Sequence, residues 1–432
     1  MRKTLSLLLS VMMLMTLFAG ISLTAASAEA ENKPITIEFW NSWTNSDGEV
    51  LDEIVERFNE VNPYGITIDM DRDGDMNTKI QVAYASNTAP PLILINTGSI
   101  QDLVYQGAII PMDDIFEKTT LDRADFVEKI LTECEDNGTL YSIPIQVNTR
   151  FLYWNKTLLA QAGYDPNKGP ETWDELKEMS AAIDALGENI YGGGCPYDFH
   201  AGLILMIKSF GGDVMEKVGE DDYKCVLNSP ETLEAVNLWK SMIDNGSAPA
   251  LKGSDYGTMF QAGTLGFTMS GASYSPGLSD YVDYGVSVMP GGPKGRFSDS
   301  SVSSFAITKC ATPEEIDACY KFLDYWQNNT ATAWEESEYR PCLRWALDCG
   351  FPPYLVSVRN DPAIASTEPI NTMCSYADYV TKLFPEGFPM HQFIRSDCIQ
   401  PMFEEIAFGA DPQEAINKYA AKMDTWRDQM IR

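Results

Sequence analysis

Residues 35–95 constrain the fold more than any other part of the chain. The run ITIEF (35–39) alternates apolar and polar positions and is rich in β-branched residues, which reads as a strand. Leu51, Ile54, Val55, Phe58 and Val61 follow at helical spacing, and Asn62-Pro63 stops that helix. Residues 66–70 read as a second strand, 76–85 as a helix and 91–95 as a short buried strand. Strand, helix, strand, helix, strand in this order predicts parallel pairing with right-handed crossovers. Open sheets of this kind bind ligands beyond the carboxyl ends of their strands. Those ends are Trp40-Asn41-Ser42-Trp43, the acidic run Asp71 to Asp75, and Asn96-Thr97-Gly98.

The next informative stretch is PIQVNTRFLYWNK (144–156). With Ile143 before it, Ile145, Val147, Thr149, Phe151 and Tyr153 share one face of a strand. The other face begins polar, with Gln146, Asn148 and Arg150, and ends apolar, with Leu152 and Trp154. Surroundings that change halfway along one strand suit a segment passing between two bodies. Further on, Thr172 and Glu175 form a capping-box pattern that opens a helix through Ile183, with Trp173 as a packing residue at its start. Residues 231–243, 313–326 and a last helix opened by Asp411-Pro412 are amphipathic. Residues 304–308 return to strand character.

Arg2 and Lys3, an apolar run from Leu5 to Gly20 and the small residues Ala26-Ser27-Ala28 match a secretory signal peptide, so residues 1–28 are expected to be removed on export. No cysteine precedes Cys134, which leaves no lipobox-type site. A chain of 432 residues exceeds one ordinary core, so two domains are expected. The formal net charge of -31 repels nucleic acid and anionic membranes.

Nine scattered cysteines and two histidines, with no C-x-x-C pair, argue against a zinc site. Cys310/Cys319 and Cys342/Cys349 are the nearest candidate disulfide pairs, with buried thiols as the alternative. The run Asp69 to Gly74 resembles half a calcium loop, but Ile80 stands where the closing glutamate is required. No nucleophile elbow or phosphate-cradling glycine loop is present, and no metal or cofactor is expected.

Aromatic residues are more informative. Trp40, Trp43, Trp154, Phe199, Tyr274, Trp334, Tyr339 and Trp345 fall at predicted element ends or loops. Rings pack the C–H faces of a sugar while Asn, Gln, Asp and Ser satisfy its hydroxyls.

Several stretches resemble the extracellular solute-binding proteins of carbohydrate ABC importers, the maltose-binding-like group. They are ITIEFWNSWT (35–44), GTLYSIPIQVNTRFLYWNKTLLAQAGYDPNKGPETWDEL (138–176), FQAGTLGFTMSGAS (260–273), YGVSVMPGG (284–292), CYKFLDYW (319–326), YRPCLR (339–344) and IAFGADPQEAINKY (406–419). Within that group QGAIIPMDDIFEK (106–118) and TMSGASYSPGL (268–278) look nearest the glycerol-3-phosphate-binding branch. Against that branch, Tyr339 matches its late tyrosine, Arg395 approximately its arginine, and Ser270 or Ser273 its serine loop. Asp73 stands where a tyrosine is usual, Asn96-Thr97 replaces a glutamate region, and Ser301-Val302 replaces a glycine pair.

The resemblance implies an α/β, two-lobed periplasmic-binding-protein fold with a ligand cleft. Residues 31–143 with 298–335 would form the N-lobe, and 149–290 with 345–432 the C-lobe. The chain would cross near 143–149, 288–298 and 335–345. It further implies an exported, periplasmic or cell-surface monomer that closes on a carbohydrate ligand and delivers it to ABC permease subunits, without contact to nucleic acid. The residues expected to line the cleft are Trp40, Asn41, Trp43, Asp73, Gln146, Asn148, Phe199, Ser270, Ser273, Tyr274, Tyr339 and Arg395. The departures favour a neutral mono- or oligosaccharide over a phosphorylated polyol, for which Arg395 would be the anion partner. A secreted glycoside hydrolase and a cell-surface adhesion module are the rival readings.

Overall fold

A computed structural model describes residues 34–43, 46–72, 76–219, 222–299, 301–327, 340–385, 387–388 and 390–430. The signal-peptide expectation, Asp73, Trp334 and Tyr339 lie outside the described residues.

The first sheet is built from the strands predicted at the start of the chain. β1 (Ile35–Asn41) pairs in parallel with β2 (Ile66–Arg72) on one side and β3 (Leu92–Asn96) on the other. α1 (Ser46–Val61) and α2 (Met76–Ala85) are the crossovers. The sheet is completed by two antiparallel neighbours, β4 (Ile143–Asn148) and β9 (Ser301–Ile307), in the order β2-β1-β3-β9-β4. Phe39 of β1 meets Phe305 of β9 edge-on at 5.4 Å, and Phe305 meets Trp326 of α6 (Pro313–Gln327) at 5.3 Å. Burying rings of this size stabilises by about 1.5–3 kcal/mol each relative to exposure.

The second sheet has the order β8-β5-β7-β6, from β5 (Arg150–Asn155), β6 (Tyr191–Gly194), β7 (Leu265–Gly271) and β8 (Tyr284–Val288). Its helices include α3 (Trp173–Asp184), which starts with the predicted capping box, and α4 (His200–Phe210) and α5 (Pro230–Asp244). Trp154 of β5 fits between two glycines: a Cβ on Gly169 or Gly285 would come within 2.6 or 2.1 Å of its indole.

The stretch 143–155 is therefore two strands in two sheets, broken at Thr149. Beyond the break its two faces serve different cores. Phe151 and Tyr153 join the core that continues from the first sheet, whereas Leu152 and Trp154 join the core of the second.

The last third of the chain departs from expectation. The sequence places a crossing at 335–345 and everything after it in the second lobe. Instead, α7 (Pro341–Cys349) packs on α1 and α6, and the buried residues from Cys342 to Ala377 join the cluster that holds the first sheet's core, with residues 370–373 lying against β8 of the second sheet. The reason is aromatic: Trp345 contacts Trp43, Trp326 and Phe351. The second core takes over from Leu383 to Met423, including α8 (Gln400–Ala407) and α9 (Pro412–Met430). Between these cores, Ser298 N–H donates to Tyr379 C=O and Thr381 N–H donates to Ser298 C=O, both at 2.8 Å.

Candidate functional site

Three chain segments meet where the sheets adjoin: 148–150, 298–299 and 379–381. Thr149 pins the first two together. Its hydroxyl contacts the Ser298 hydroxyl and donates to Asp299 C=O at 2.5 Å, all of it buried. Beside this junction lie the ends of β1, β3 and β4, where sequence reasoning placed a ligand.

Asn41 closes β1 fully buried. Its Oδ1 accepts the Trp43 N–H at 3.1 Å, and its Nδ2 has no hydrogen-bond partner among the described residues. Trp43 lies half-buried, its ring stacked on Trp345 at 4.9 Å and 21°. Gln146 and Trp345 border a void of about 10 Å³, and Gln146 Oε1 and Trp345 Nε1 lack partners among the described residues. At the end of β4 the Asn148 side chain sits against Gly271 of β7, and its Oδ1 also lacks a partner among the described residues. Buried polar atoms are nearly always satisfied by protein groups or ordered water, so these atoms mark places where water or a ligand completes the bonding.

Across the junction, Arg150 donates to Asn148 C=O at 2.5 Å and stands over the Phe199 ring at 5.9 Å. Its Nη2 is 3.7 Å from Asp299 Oδ2. Arg395 comes from a π-helical turn (Phe393–Ile399), a distortion that proteins place at functional sites. Its guanidinium covers Phe384 at 5.6 Å. It borders a cavity of about 500 Å³ together with Asn96, Gly98, Ser301, Lys382 and His391. Asn96 Nδ2 donates to Ser301 Oγ at 3.0 Å, so two of the three positions that depart from the glycerol-phosphate pattern are neighbours here.

Burial dominates the electrostatics. It raises the Asp299 carboxyl above its usual range, against the pull of Arg150 and Arg395. It lowers the Arg395 guanidinium, with Asp299 opposing and Arg150 reinforcing the shift. It lowers His200 to about 4, reinforced by Arg395 and Arg150, and His391 to about 4, reinforced by Arg395. Both imidazoles are therefore neutral at pH 7.

Among the expected residues, the structure brings Asn41, Trp43, Gln146, Asn148, Phe199 and Arg395 to the junction and the strand ends. Two others are corrected. Trp40 is 7% exposed, its Nε1 donates to Glu38 at 2.6 Å, and Lys79 of α2 covers its ring at 4.1 Å. It is a packing residue, because α2 folds over that face of β1. Tyr274 donates its hydroxyl to Gly257 C=O at 3.0 Å and meets Tyr153 edge-on, which leaves the hydroxyl engaged within the second lobe. Ser273 is exposed on the turn after β7, where the chain leaves the sheet at Gly271, and stays a candidate contact. Ser270 is half-buried within β7, opposite Phe151. Arg150, Asp299, His200 and His391 are additions. The only sequence sign was a charged residue directly after each crossing, in NTR and FSD.

All nine cysteines are free thiols, so neither candidate disulfide forms. Cys342 and Cys349 lie on the same helix about two turns apart, roughly 10 Å along its axis, too far to bridge.

Comparisons with known proteins agree with this architecture. Residues 53–365 match the model of the family described as bacterial extracellular solute-binding protein. The sn-glycerol-3-phosphate-binding periplasmic protein UgpB of Escherichia coli (strain K12) is 26% identical over 341 residues, covering 72% of this chain and 75% of that one. Among solved structures, the sugar-binding protein MalE from Xanthomonas citri superposes with a TM-score of 0.77 at 20% identity, covering 92% and 98% of the two chains. UgpB from Mycobacterium tuberculosis in complex with glycerophosphocholine also gives 0.77 at 20% identity, covering 93% and 100%. These likenesses establish the two-lobed periplasmic-binding fold. By a family match that spans well over half its length, the chain belongs to the bacterial extracellular solute-binding protein family, whose members serve ABC sugar importers.

Proposed function

We propose that the protein captures a carbohydrate-like solute between its lobes and hands it to a membrane permease. The observation that carries this reading is the set of buried polar atoms without partners at the strand ends: Asn41 Nδ2, Gln146 Oε1 and Asn148 Oδ1. A ligand hydroxyl at the strand ends would satisfy Asn41 Nδ2 or Asn148 Oδ1, whereas the void of about 10 Å³ beside Gln146 has room for no more than a water. Trp43, stacked on Trp345, would supply the ring for a sugar face.

In this reading the lobes hinge at 148–150, 298–299 and 379–381. A solute that touches both lobes binds the closed state better than the open one and shifts the population towards closed. Asp73 and Tyr339 remain candidate contacts, as do export by removal of residues 1–28 and a monomeric state. A polyol phosphate is the second reading, supported by the position of Arg395 on the cavity wall.

A thermal-shift screen against neutral sugars, sugar acids and polyol phosphates tests the proposal. Stabilisation by one carbohydrate class, without turnover, supports it. Stabilisation by peptides or metal ions alone refutes it, and hydrolysis of a glycan at enzymatic rates would restore the hydrolase reading.

A further inference from the structure

The ring that Trp43 offers at the strand ends rests on Trp345, at 4.9 Å and 21°. Trp345 is itself placed by groups deeper in the first lobe. It is buried and packs on Trp326 of α6 at 5.5 Å and on Phe351 at 6.4 Å, nearly parallel to the latter. Phe351 and Tyr354 both belong to the segment that follows α7.

A buried polar network joins these pieces. Cys342, in the first turn of α7, donates its thiol to Trp326 C=O at 3.0 Å and lies 3.1 Å from the Tyr354 hydroxyl. That hydroxyl donates to Gln327 Oε1 at 2.8 Å and accepts from Trp326 Nε1 at 3.3 Å. Gln327 Nε2 in turn donates to Pro144 C=O of β4 at 2.7 Å. Cys342, Tyr354, Gln327 and Trp326 are all buried. The network therefore holds the end of α6, the start of α7 and the segment after α7 against β4. Burial pushes the Cys342 thiol up to about 12 and raises the Tyr354 phenol well above its usual range, so both keep their protons at neutral pH.

A phenylalanine would fill the space of Tyr354, and burying a hydroxyl is unfavourable unless it is bonded. What the hydroxyl adds is direction, because a satisfied buried network selects one arrangement of the core. Arg344 also tethers α7 to Glu53 of α1, but both side chains reach solvent, where ion pairs contribute little.

Resting on the solute-capture reading above, we propose that Tyr354 and Cys342 are positioning residues for the ring of Trp43. They touch no solute. They set Trp326 and the start of α7, and through Trp345 they set the angle at which Trp43 presents its ring. Ring packing depends on that angle, so a tilt of Trp43 weakens binding without removing a contact group.

Circular dichroism tests this without any ligand. Two stacked indoles couple, and the part of the signal lost in Trp43→Leu reports the Trp43–Trp345 geometry. In a Tyr354→Phe chain the same Trp43→Leu change is expected to remove much less signal, because the rings are no longer held in one arrangement. Cys342→Ala should act in the same direction, and Cys342→Ser, which keeps a donor, should restore the native difference. This pair carries the test if Tyr354→Phe fails to fold.

Calorimetric titration of the full chain with maltose and with glycerol 3-phosphate adds the functional arm. Tyr354→Phe is expected to weaken the probe that binds by about fivefold, the scale of one net hydrogen bond. In the Trp43→Leu background it should change affinity little, since no ring is left to place. A merely structural role would lower the melting temperature and leave both the coupling signal and the affinity of the folded chain unchanged.

A native coupling signal in the folded Tyr354 and Cys342 variants, or equal affinity losses in both backgrounds, overturns the proposal and leaves the solute-capture reading standing. If the native chain binds neither probe and no carbohydrate shifts the melting transition, solute capture falls, and the coupling signal decides whether Tyr354 and Cys342 place Trp43.

Discussion

Thr149 and Ser298, far apart in sequence, meet through their hydroxyls at the point where the chain passes from one sheet to the other and back. The same Thr149 hydroxyl donates to Asp299 C=O, so one side chain ties both crossings. Thr149→Val keeps the shape and removes the donor, leaving the Ser298 hydroxyl and a buried carbonyl unpaired. The expected loss is about 1–3 kcal/mol in urea unfolding. A second substitution, Ser298→Ala, should cost less in the Thr149→Val background than in the native one, because the shared contact is already gone.

Trp40 gives a contrasting prediction. With its ring under Lys79 and its Nε1 bonded to Glu38, Trp40→Ala should destabilise by about 3–5 kcal/mol, with little change in ligand affinity once folded. Trp43→Ala should do the reverse, weakening ligand binding with a smaller stability loss, because its ring is half exposed. Equal losses of affinity in both variants would put Trp40 back in the cleft.

These two tryptophans also mark what could be read before the fold was seen. Strand periodicity located β1 to β3, and the Thr172/Glu175 pattern located the start of α3, because both signals are local. Which helix covers the Trp40 face is a tertiary fact, decided by how α2 folds back to bring Lys79 over it. The change of surroundings in 144–156 falls where two strands of different sheets meet at Thr149. It did not show that Phe151 and Leu152, adjacent in sequence, serve different cores, since that depends on what lies on each side of the second sheet. Arg150 and Asp299 look like ordinary surface charges until the two crossings are brought together. The third crossing was misplaced because residues 341–349 form an amphipathic helix whose partner, the Trp43–Trp326 wall, is assembled from distant segments.

The two histidines predict a loss of stability in acid. Each has its folded pKa lowered from 6.5 to about 4, so the folded state binds fewer protons than the unfolded state between these values. Their contribution is intact above about pH 6.5, declines as pH falls to about 4 and is lost below it. The size is on the order of 2–3 kcal/mol per histidine. Chemical denaturation from pH 7 to 4 should therefore show a steeper decline for the native chain than for His200→Gln/His391→Gln. Parallel curves would mean that the imidazoles titrate normally in the folded protein.

Thiol chemistry offers a further check. Cys225 and Cys310 are half-buried, and the other seven cysteines are buried. Burial pushes the thiols of Cys342 and Cys398 up to about 12, which suppresses the reactive thiolate. A thiol-specific reagent should label about two groups quickly in the native protein and all nine after denaturation without reductant. Fewer than nine in denaturant would reveal a disulfide.

Asn148 and Gln146 separate ligand contact from structural hydrogen bonding. Both are on β4, two residues apart, so their side chains leave the same face of the first sheet. Each has an oxygen without a partner among the described residues, so among those residues no bond to that oxygen would be broken by mutation. Replacing Asn148 by Leu removes a polar group from a position that faces Gly271 across the lobe junction. Unfolding free energy without ligand should stay within about 1 kcal/mol of native, since no protein hydrogen bond to that oxygen is lost. Ligand affinity should fall by about 1–3 kcal/mol, because a solute hydroxyl would lose its acceptor. Gln146→Leu should show the same division more weakly, as it lies deeper and borders only a small void. Calorimetry with whichever solute the thermal-shift screen identifies measures the affinity. Loss of stability with unchanged affinity in both variants would move these amides out of the binding surface and into the core.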